Sequence, residues 1–247
     1  MKNIFLVLLA VVVLSGCSKD DNKGDFVENT KMLFLKKTES EDAVITYEYN
    51  GNKISETNSK ISDSEGFIVK KSVFTYEGDL IVKRQSFNED GTLSPFKEEF
   101  FYEDNKLKSY NFIDGDYIRK TTYTHENDGT VSFKKYNVDS KTKIETFIDS
   151  GVYTFSNGNL IKYEDSKEII NYEYDDKKNP FKNVTGFSKV IGINSNLNNV
   201  LKSTTIRKGS DSSNVSSFEY DYNPDGYPIV QRYFYNGKSE GTLKNSY

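Results

Sequence analysis

The fold of this chain is decided by residues 47–54, Tyr-Glu-Tyr-Asn-Gly-Asn-Lys-Ile. Tyr47 and Tyr49 are separated by one residue, so a β-strand places both rings on the same face. The Asn-Gly pair that follows favours a two-residue hairpin turn, because that turn needs positive φ at both central positions. Ile54 then begins a return strand. The stretch therefore predicts a β-hairpin with one aromatic face.

The same unit returns along the chain with a regular spacing. Tyr49, Tyr76 and Tyr102 occupy corresponding positions and are 27 and 26 residues apart, which indicates an array of two-stranded units. Aromatic residues that alternate with other residues precede turn signals in further copies at 153–158, 170–176 and 218–226. The residues expected to open the return strands are Ile54, Leu80, Leu107, Leu160, Phe181 and Ile229.

We predict an all-β domain, a curled antiparallel meander of repeated hairpins with about fifteen strands. Its aromatic face packs inward against itself, since tyrosine buries its ring while the hydroxyl remains near water. Charged residues such as Lys97, Glu99, Lys134 and Lys162 take outward positions, where they protect the sheet from pairing with other chains. An ordinary β-sandwich is the alternative.

The amino terminus carries an export signal. Lys2 precedes an apolar run from Ile4 to Leu14, which is too short for a membrane-spanning helix of roughly 20 residues. Leu-Ser-Gly-Cys at residues 14–17 closes the run, and Cys17 is the one cysteine of the chain. This tetrad is similar to the lipobox of bacterial lipoproteins. The resemblance implies cleavage before Cys17 and a diacylglycerol on its sulfur, within a palmitate-bearing lipid anchor.

We therefore divide the chain into a signal peptide (1–16), a lipidated cysteine with a flexible tether (17–30) and a single β-repeat domain (31–247). Residues 18–21, Ser-Lys-Asp-Asp, resemble the tag that sends some lipoproteins of Gram-negative bacteria to the outer face of the outer membrane. The expected partner is thus the outer membrane, reached through the lipid anchor on its extracellular side. A formal net charge of −4 gives no strong attraction to nucleic acid, and no nucleic-acid partner is expected.

Two further likenesses concern the repeats themselves. Residues 47–54 and 173–181 look like the tyrosine-aspartate repeats of Rhs-type wall and shell proteins. Asn-Pro-Phe at 179–181 and Tyr-Asn-Pro-Asp-Gly-Tyr-Pro at 222–228 resemble a domain family of unknown function that is common in surface lipoproteins of Gram-negative bacteria. The resemblance covers most of the domain and implies fold and address only. It carries no catalytic residues over to this chain.

The sequence offers few candidates for catalytic or metal-binding residues. His125 is the one histidine and ends a predicted strand, which is typical of an exposed strand residue and not of a catalytic base. One histidine and a lipidated cysteine cannot assemble a zinc site of the usual kind. Residues 221–226 begin like a calcium loop, but Arg232 stands where a glutamate should close it, so a hairpin turn is predicted. We expect no catalytic residue, no metal and no cofactor.

The expected function is non-enzymatic binding of a glycan or a protein, because tyrosine rings and asparagine amides offer stacking faces and hydrogen bonds. One short helix is predicted near 187–193, where the strand rhythm is interrupted and the chain either plugs one end of the sheet or forms a binding loop. The binding residues favoured by this reasoning are Asn194, Asn196, Asn198, Asn199, Tyr220, Tyr222 and Tyr227. The alternatives are a surface hydrolase that uses a carboxylate pair and a structural or accessory subunit of an outer-membrane complex.

Overall fold

Sixteen strands form one antiparallel sheet that closes on itself. The computed structural model describes residues 32–63, 66–192, 195–210 and 212–247, so the predicted signal peptide, Cys17 and the tether lie outside the described residues. Each strand pairs with the strands before and after it in the sequence, and the first strand pairs with the last. The all-β prediction is confirmed. The predicted open meander is wrong, because among the described strands every edge is paired.

The strands are about as numerous as predicted, and helix is almost absent from the described residues. A 3-10 helix, Phe187–Lys189, stands where a helix near 187–193 was predicted and is shorter. The strands are β1 Lys37–Glu39, β2 Ala43–Asn50, β3 Lys53–Asp63, β4 Gly66–Glu77, β5 Leu80–Asn88, β6 Leu93–Glu103, β7 Lys106–Asp114, β8 Tyr117–His125, β9 Val131–Asp139, β10 Glu145–Ser156, β11 Asn159–Asp165, β12 Glu168–Tyr174, β13 Val200–Arg207, β14 Ser213–Tyr222, β15 Pro228–Tyr235 and β16 Lys238–Ser246.

The seam of the barrel is the pairing of β1 with β16. Thr38, the middle residue of the three in β1, lies opposite Asn245, and its hydroxyl donates a hydrogen bond of 2.9 Å to the Asn245 Oδ1. Lys36 extends the seam, since its N–H donates to the Ser246 carbonyl at 2.7 Å. Closure satisfies the backbone groups that an open sheet exposes along two edges.

The hairpins at one end of the barrel share a turn and a bulge. Asp104 and Asn105 both take positive φ, 50° and 60°, which is the backbone of a two-residue hairpin turn. Beside this turn the strand register shifts between Phe101 and Tyr102, and such bulges increase the local twist of a sheet. The long connection from β12 to β13, residues 175–199, lies at this same end. We call it the closed end, and the opposite end, with the turn between β7 and β8, the open end.

Rings that face inward at the closed end are tied to the neighbouring hairpin by hydrogen bonds. The hydroxyls of Tyr49, Tyr102, Tyr174 and Tyr220 donate to the carbonyls of Leu35, Ile81, Leu160 and Val200 at 2.5–3.0 Å. Each carbonyl belongs to a buried aliphatic residue of the hairpin or segment before it in the sheet. Burial raises the pKa of these tyrosines, that of Tyr102 to about 12. The hydroxyls therefore act as permanent donors at neutral pH.

His125 occupies the position that tyrosine holds in the other hairpins. Its Nε2 lies 2.9 Å from the Leu107 carbonyl, and because a carbonyl oxygen only accepts, Nε2 carries the proton. The histidine faces the barrel interior and is partly buried, so the predicted exposed position is wrong. This contact ties β8 to β7.

The aliphatic residues that open the return strands complete the core. Ile54, Leu107 and Leu160, which were predicted to open return strands, are each the second residue of one and are buried. Burying each such side chain contributes about 1.5–3 kcal/mol. Leu80 opens β5 as predicted, but the buried residue of that hairpin is Ile81, which lies opposite Tyr76 as Ile54 lies opposite Tyr49. In the last hairpin the buried residue is Pro228, opposite Tyr222, and Ile229 is exposed. Phe181, the sixth residue predicted to open a return strand, lies instead in the long connection.

The outer surface of the barrel is charged at mid-strand. Lys97 and Glu99 point outward from the centre of β6 and form an ion pair of 2.8 Å, as predicted. Outward ion pairs also join Lys71 to Glu56, Lys120 to Glu145, Lys162 to Glu164, Lys202 to Glu173 and Arg232 to Asp221. A barrel that spans a bilayer shows an apolar outer band about 25 Å tall, and a lysine or arginine at its midplane costs about 2–4 kcal/mol. The outward ion pairs are therefore unfavourable in such a band, although apolar side chains such as Phe101, Phe147 and Leu201 are also exposed on the outer face.

This surface predicts how the barrel partitions. Residues 32–247 contain every strand partner of the closed sheet, so we expect this fragment to fold by itself and to remain in the aqueous phase of a Triton X-114 separation. Far-ultraviolet circular dichroism checks that the fragment is β-structured, and a membrane-spanning barrel run in parallel enters the detergent phase. Recovery of the folded fragment with the detergent would show that the outer face meets lipid.

Candidate functional site

The long connection between β12 and β13 closes one end of the barrel. We call residues 175–199 the plug; the structure describes all of it except 193 and 194. Phe187 stacks on Phe181 with ring centroids 5.0 Å apart and packs against Phe74 of β4 at 6.5 Å. The Thr185 N–H donates to the Asn52 carbonyl in the turn between β2 and β3. The plug thus reaches across the end of the barrel to hairpins that precede it by more than 100 residues.

Gly186 shows how closely the plug fits. Its φ of 88° lies in the left-handed region, and a Cβ added to it would lie 2.9 Å from the Ile81 Cγ1 and 3.1 Å from the Asp79 carbonyl. A residue with a side chain would therefore carry backbone strain and a steric clash together. Of the two alternatives that the sequence left open for this interruption, the structure shows a plug.

The described asparagines that were predicted to bind a ligand form hydrogen bonds to the barrel wall or within the plug itself. Asn196 and Asn199 are 2% and 3% exposed. The Asn196 Oδ1 accepts a hydrogen bond from the Leu160 N–H at 2.8 Å, and the Asn199 side chain donates to Asp175 at 3.0 Å. Asn198 donates to the Lys177 carbonyl at 2.8 Å. Asn194 lies outside the described residues. The described asparagines thus have their amides committed within the protein.

The three predicted tyrosines have their hydroxyls committed in the same way. Tyr220 belongs to the set of ring-to-carbonyl bonds at the closed end. Tyr222 donates to Asp175, and burial together with that carboxylate raises its pKa. Tyr227 is 2% exposed, and its hydroxyl accepts a hydrogen bond of 2.7 Å from Asn183 of the plug. None of the three lines a cavity described below.

Asp175 is the residue on which the base of the plug depends, because it accepts hydrogen bonds from the Asn199 N–H, the Asn199 amide and the Tyr222 hydroxyl. We predict that Asp175→Ala lowers the free energy of unfolding by about 2–3 kcal/mol, since buried donors lose a charged acceptor. Urea unfolding followed by circular dichroism measures it. The matched control is Asp176→Ala, because the Asp176 side chain is 84% exposed and we expect a change within about 0.5 kcal/mol. Equal losses for both variants would contradict the structural role of Asp175.

The lumen between the plug and the open end contains a cavity of about 1190 Å³. Its floor is formed by Phe187, Val190 and Ile191 of the plug. At the open end, Ile61 and Tyr117 point into the lumen and are still 42% and 44% exposed. The cavity therefore opens to water at one end and is stopped by the plug at the other.

The strand register arranges the side chains of this cavity in rows around the wall. In one row, Arg84 of β5 lies opposite Glu98 of β6, Glu98 opposite Phe112 of β7, and Phe112 opposite Arg119 of β8. Arg84 and Glu98 form an ion pair, and the Tyr110 hydroxyl donates to Glu98 at 2.5 Å. Among the described lining residues, Glu98 is the single carboxylate. This cavity therefore does not hold the pair of carboxylates that a glycoside hydrolase uses.

Lys135 lies one row deeper, opposite Thr121. Its ammonium donates to the Tyr163 hydroxyl at 2.8 Å, and that hydroxyl donates to Asp165 at 2.5 Å. Burial lowers the pKa of Lys135 and the charge of Arg119 acts in the same direction, against the nearby carboxylates of Asp165, Asp149 and Glu168. Burial and the hydrogen bond to Asp165 raise the pKa of Tyr163.

The pKa of Asp165 lies below its ordinary value. Burial alone would raise it, but the Tyr163 hydroxyl, two backbone N–H groups and the charge of Lys135 favour the ionised form more strongly. A group whose pKa is lower in the folded state contributes stability that is present above its unfolded pKa, about 3.9, and is lost as the pH falls through its folded pKa. We predict that Asp165→Asn is less stable than the wild type at pH 7 and that the difference shrinks below about pH 4. Urea unfolding between pH 7 and pH 3 measures both, and a difference independent of pH would contradict the prediction.

A second cavity, of about 920 Å³, lies against β13 to β16 near the turn between β1 and β2. Phe218 and Tyr233 stack there with centroids 5.3 Å apart and an interplanar angle of 25°. Gln231, Ser203 and Ser216 supply an amide and two hydroxyls to the same lining. Four acidic residues, Glu39, Glu41, Asp42 and Glu240, also line this cavity, with Lys244 as the one cation among the described lining residues. The rings, amide and hydroxyls can stack on and hydrogen-bond a polar ligand.

The described residues contain no group of three or more acidic, histidine or cysteine side chains placed to hold a metal ion. In the stretch that begins like a calcium loop, Asp221 pairs with Arg232, and the N–H groups of Gly226 and Tyr227 donate to Asn223 across a turn. The predicted hairpin turn is confirmed. In the part of the chain that the structure describes, no helix is long and apolar enough to cross a membrane.

No protein-family model and no curated protein sequence matches the chain. Two solved structures described as porin-like proteins are similar to it. The one from Bacteroides vulgatus has a TM-score of 0.58 and 16% identity, over 87% of this chain and 99% of that chain. The one from Bacteroides uniformis has a TM-score of 0.55 and 13% identity, over 86% of this chain and 95% of that chain. At these identities the likeness shows a shared barrel fold.

Sequence reasoning missed the charged residues of the lumen. Arg119 shares its strand face with Tyr117, Thr121 and Tyr123, and Lys135 shares its face with Val131 and Phe133. A lysine or arginine at the inward position of an alternating strand was the signal that would have marked them.

Proposed function

We propose that this chain is a non-enzymatic lipoprotein of the outer membrane whose barrel stands in water and binds a ligand inside its lumen. The observation that carries the proposal is the cavity of about 1190 Å³, which is open at one end and closed by the plug at the other. Ligand sites in proteins are concave, of about 300–1,000 Å³, and largely apolar with a few polar groups. The larger cavity exceeds that range slightly and has this composition.

The proposed cellular location is based on the amino-terminal residues. The lipobox-like residues 14–17 and the acidic residues after Cys17 favour a lipid anchor on the extracellular side of the outer membrane. Two or more acyl chains hold a protein on a membrane stably. The outward ion pairs support an anchor of this kind, because charged side chains at mid-strand disfavour insertion of the barrel wall into the bilayer.

The two similar structures are described as porin-like, which raises the alternative that this chain forms a channel. Barrels of 16 to 18 strands can leave an aqueous channel. Two observations oppose that function in this chain. The plug stops the larger cavity at the closed end, and the outward ion pairs at mid-strand disfavour insertion into a bilayer. We therefore propose that the barrel holds a ligand in its lumen and does not form a channel.

Two kinds of ligand are proposed, a glycan and a protein. The stacked Phe218 and Tyr233 with Gln231 support binding of a glycan in the second cavity. Protein binding, and with it the role of an accessory subunit, is favoured by apolar side chains near the open end. Phe67, Leu93 and Ile144 are 60–67% exposed at that end. Exposed apolar side chains mark a contact surface when they form one continuous patch. A kinship with tyrosine-aspartate repeats is supported by the repeated hairpins alone.

We predict that wild-type cells label the protein with radioactive palmitate, that Cys17→Ser abolishes the label, and that protease added to intact cells removes the wild-type protein. A periplasmic protein followed in the same cells must survive the protease, which shows that the outer membrane is intact. Labelled protein that survives the protease would place the anchor on the periplasmic side. Failure to incorporate palmitate would contradict the lipoprotein itself.

Ligand binding is tested separately with residues 32–247. We expect a glycan panel followed by isothermal calorimetry to yield a ligand whose affinity falls at least about tenfold in Tyr233→Ala. Tyr235→Ala, in the same strand at the rim, is the control. Planar-bilayer recordings with the same protein are expected to show no conductance. Steady single-channel currents would contradict the proposal that the barrel is not a channel.

A further inference from the structure

The larger cavity carries an excess of positive charge. Lys70, Arg84, Arg119 and Lys135 line it, against the single carboxylate of Glu98 among the described lining residues. Arg84 is neutralised by its ion pair with Glu98. The remaining cations lie in a protein whose overall formal charge is −4, so the cavity is opposite in sign to the molecule that surrounds it.

Two of these cations form a pair within the lumen. Arg119 lies opposite Asn137, and Lys135 lies opposite Thr121, so the two are diagonal neighbours across β8 and β9. Diagonal neighbours on one face of a sheet are about 7–8 Å apart at Cα, within reach of long side chains. Their mutual repulsion contributes to the lowered pKa of Lys135. The nearby carboxylates of Asp165 and Asp149 offset part of the charge of Lys135, and an anion held between Arg119 and Lys135 would relieve the repulsion that remains between these two cations.

Neither cation forms an ion pair with a carboxylate among the described residues. Arg119 donates to the Tyr117 hydroxyl, and Lys135 donates to the Tyr163 hydroxyl. Asp149 lies opposite Lys135, but its oxygens accept hydrogen bonds from the Ser150 N–H and the Ser166 hydroxyl.

The other carboxylates near this wall are also held by their own surroundings. Asp165 accepts bonds from Tyr163 and from the Lys167 and Glu168 N–H groups. Asp139, in the row nearest the mouth, accepts three bonds within its own turn. Asp114 of the same row does not line the cavity.

An apolar wall lies next to the two cations. Phe112 is directly opposite Arg119, and it packs edge-to-face on Phe96 with centroids 5.1 Å apart. Phe100 and the plug residues Val190 and Ile191 continue this surface toward the floor. A molecule that reaches Arg119 and Lys135 therefore lies against rings and aliphatic side chains along the rest of its length.

From this juxtaposition we infer that the larger cavity binds a small anionic molecule with an apolar, ring-containing body. Its carboxylate, sulfonate or phosphate group lies between Arg119 and Lys135, and its body lies over Phe96 and Phe112. The inference rests on the proposed function in so far as the lumen is the binding site, and it adds the chemical class of the ligand. It is independent of the glycan proposed for the second cavity.

Two fluorescent probes that differ by one acid group test the inference. 1-Anilinonaphthalene-8-sulfonate carries a sulfonate, and N-phenyl-1-naphthylamine has the same ring system without it. Titrated into residues 32–247 without detergent, the sulfonate probe is expected to bind at one site per chain and at least about tenfold more tightly than the neutral probe. Equal affinities, or tighter binding of the neutral probe, would overturn the inference.

Variants locate the site. Arg119→Gln and Lys135→Met are each expected to weaken the sulfonate probe about tenfold and to leave the neutral probe within about twofold. The matched controls are Lys120→Gln and Lys134→Met, which remove cations from the adjacent, outward positions of the same strands. Phe112→Ala is expected to weaken both probes. Arg119 is exposed, so its replacement tests the site even if Lys135→Met does not fold.

The outcomes separate the inference from the proposed function. Loss of sulfonate binding in the outward variants and not in the inward ones would place the anion on the outer surface and overturn the inference. Binding of the neutral probe alone, weakened by Phe112→Ala, would also overturn it but would leave a binding lumen in place. If neither probe binds, the anionic ligand class is wrong, and the glycan titrations with Tyr233→Ala decide the proposed function independently.

Discussion

The barrel depends on one repeated contact, the bond from an inward ring at a hairpin to the carbonyl of a buried aliphatic residue in the hairpin before it. Tyr102 on the Ile81 carbonyl and Tyr174 on the Leu160 carbonyl are two examples. Each of these bonds joins two adjacent strands that belong to successive hairpins, so it ties neighbouring hairpins together at the closed end. His125 on the Leu107 carbonyl keeps the contact with another ring. The contact explains why the repeat uses tyrosine where phenylalanine would bury as much area.

Concentrating the rings at the closed end leaves the rest of the wall free for other chemistry. Toward the open end the inward positions also hold serine, threonine, lysine and arginine beside Phe96, Phe112 and Tyr117, and these residues line the larger cavity. On the outside, ion pairs cover the middle of the strands. The apolar and charged faces are thus distributed in the opposite sense to a barrel that spans a bilayer, although the strand number is one that such barrels also use.

Local features of this fold are readable in the sequence because they depend on neighbouring residues. The inward face of Tyr47 and Tyr49, the outward position of Lys97 and the turn at Asp104 follow from period two and from backbone sterics. Closure is different, because it depends on three residues of β1 that meet β16 at a separation of 207 residues, as for Thr38 and Asn245. No local pattern reports a contact of that range.

The candidate site also has features that local sequence patterns predict and features that depend on distant contacts. Asparagines of the plug looked available for a ligand because a polar loop is usually exposed, whereas Asn196 and Asn199 are buried as anchors of the plug. The plug itself was one of two alternatives that the sequence left open, and only the contacts of Phe187 and Thr185 decide between them. Arg119 and Lys135 were readable in principle, since each stands on the aromatic side of an alternating strand.

The short seam also bears on how such a molecule changes over evolutionary time. Because every strand pairs with its neighbours in sequence and β1 contributes only three residues to the join, the circumference is set by how many hairpins the gene encodes. Duplication or deletion of one hairpin keeps both faces of every other strand in phase and alters only the girth. The size of the barrel can therefore change in steps of two strands while the pairing of β1 with β16 stays the same.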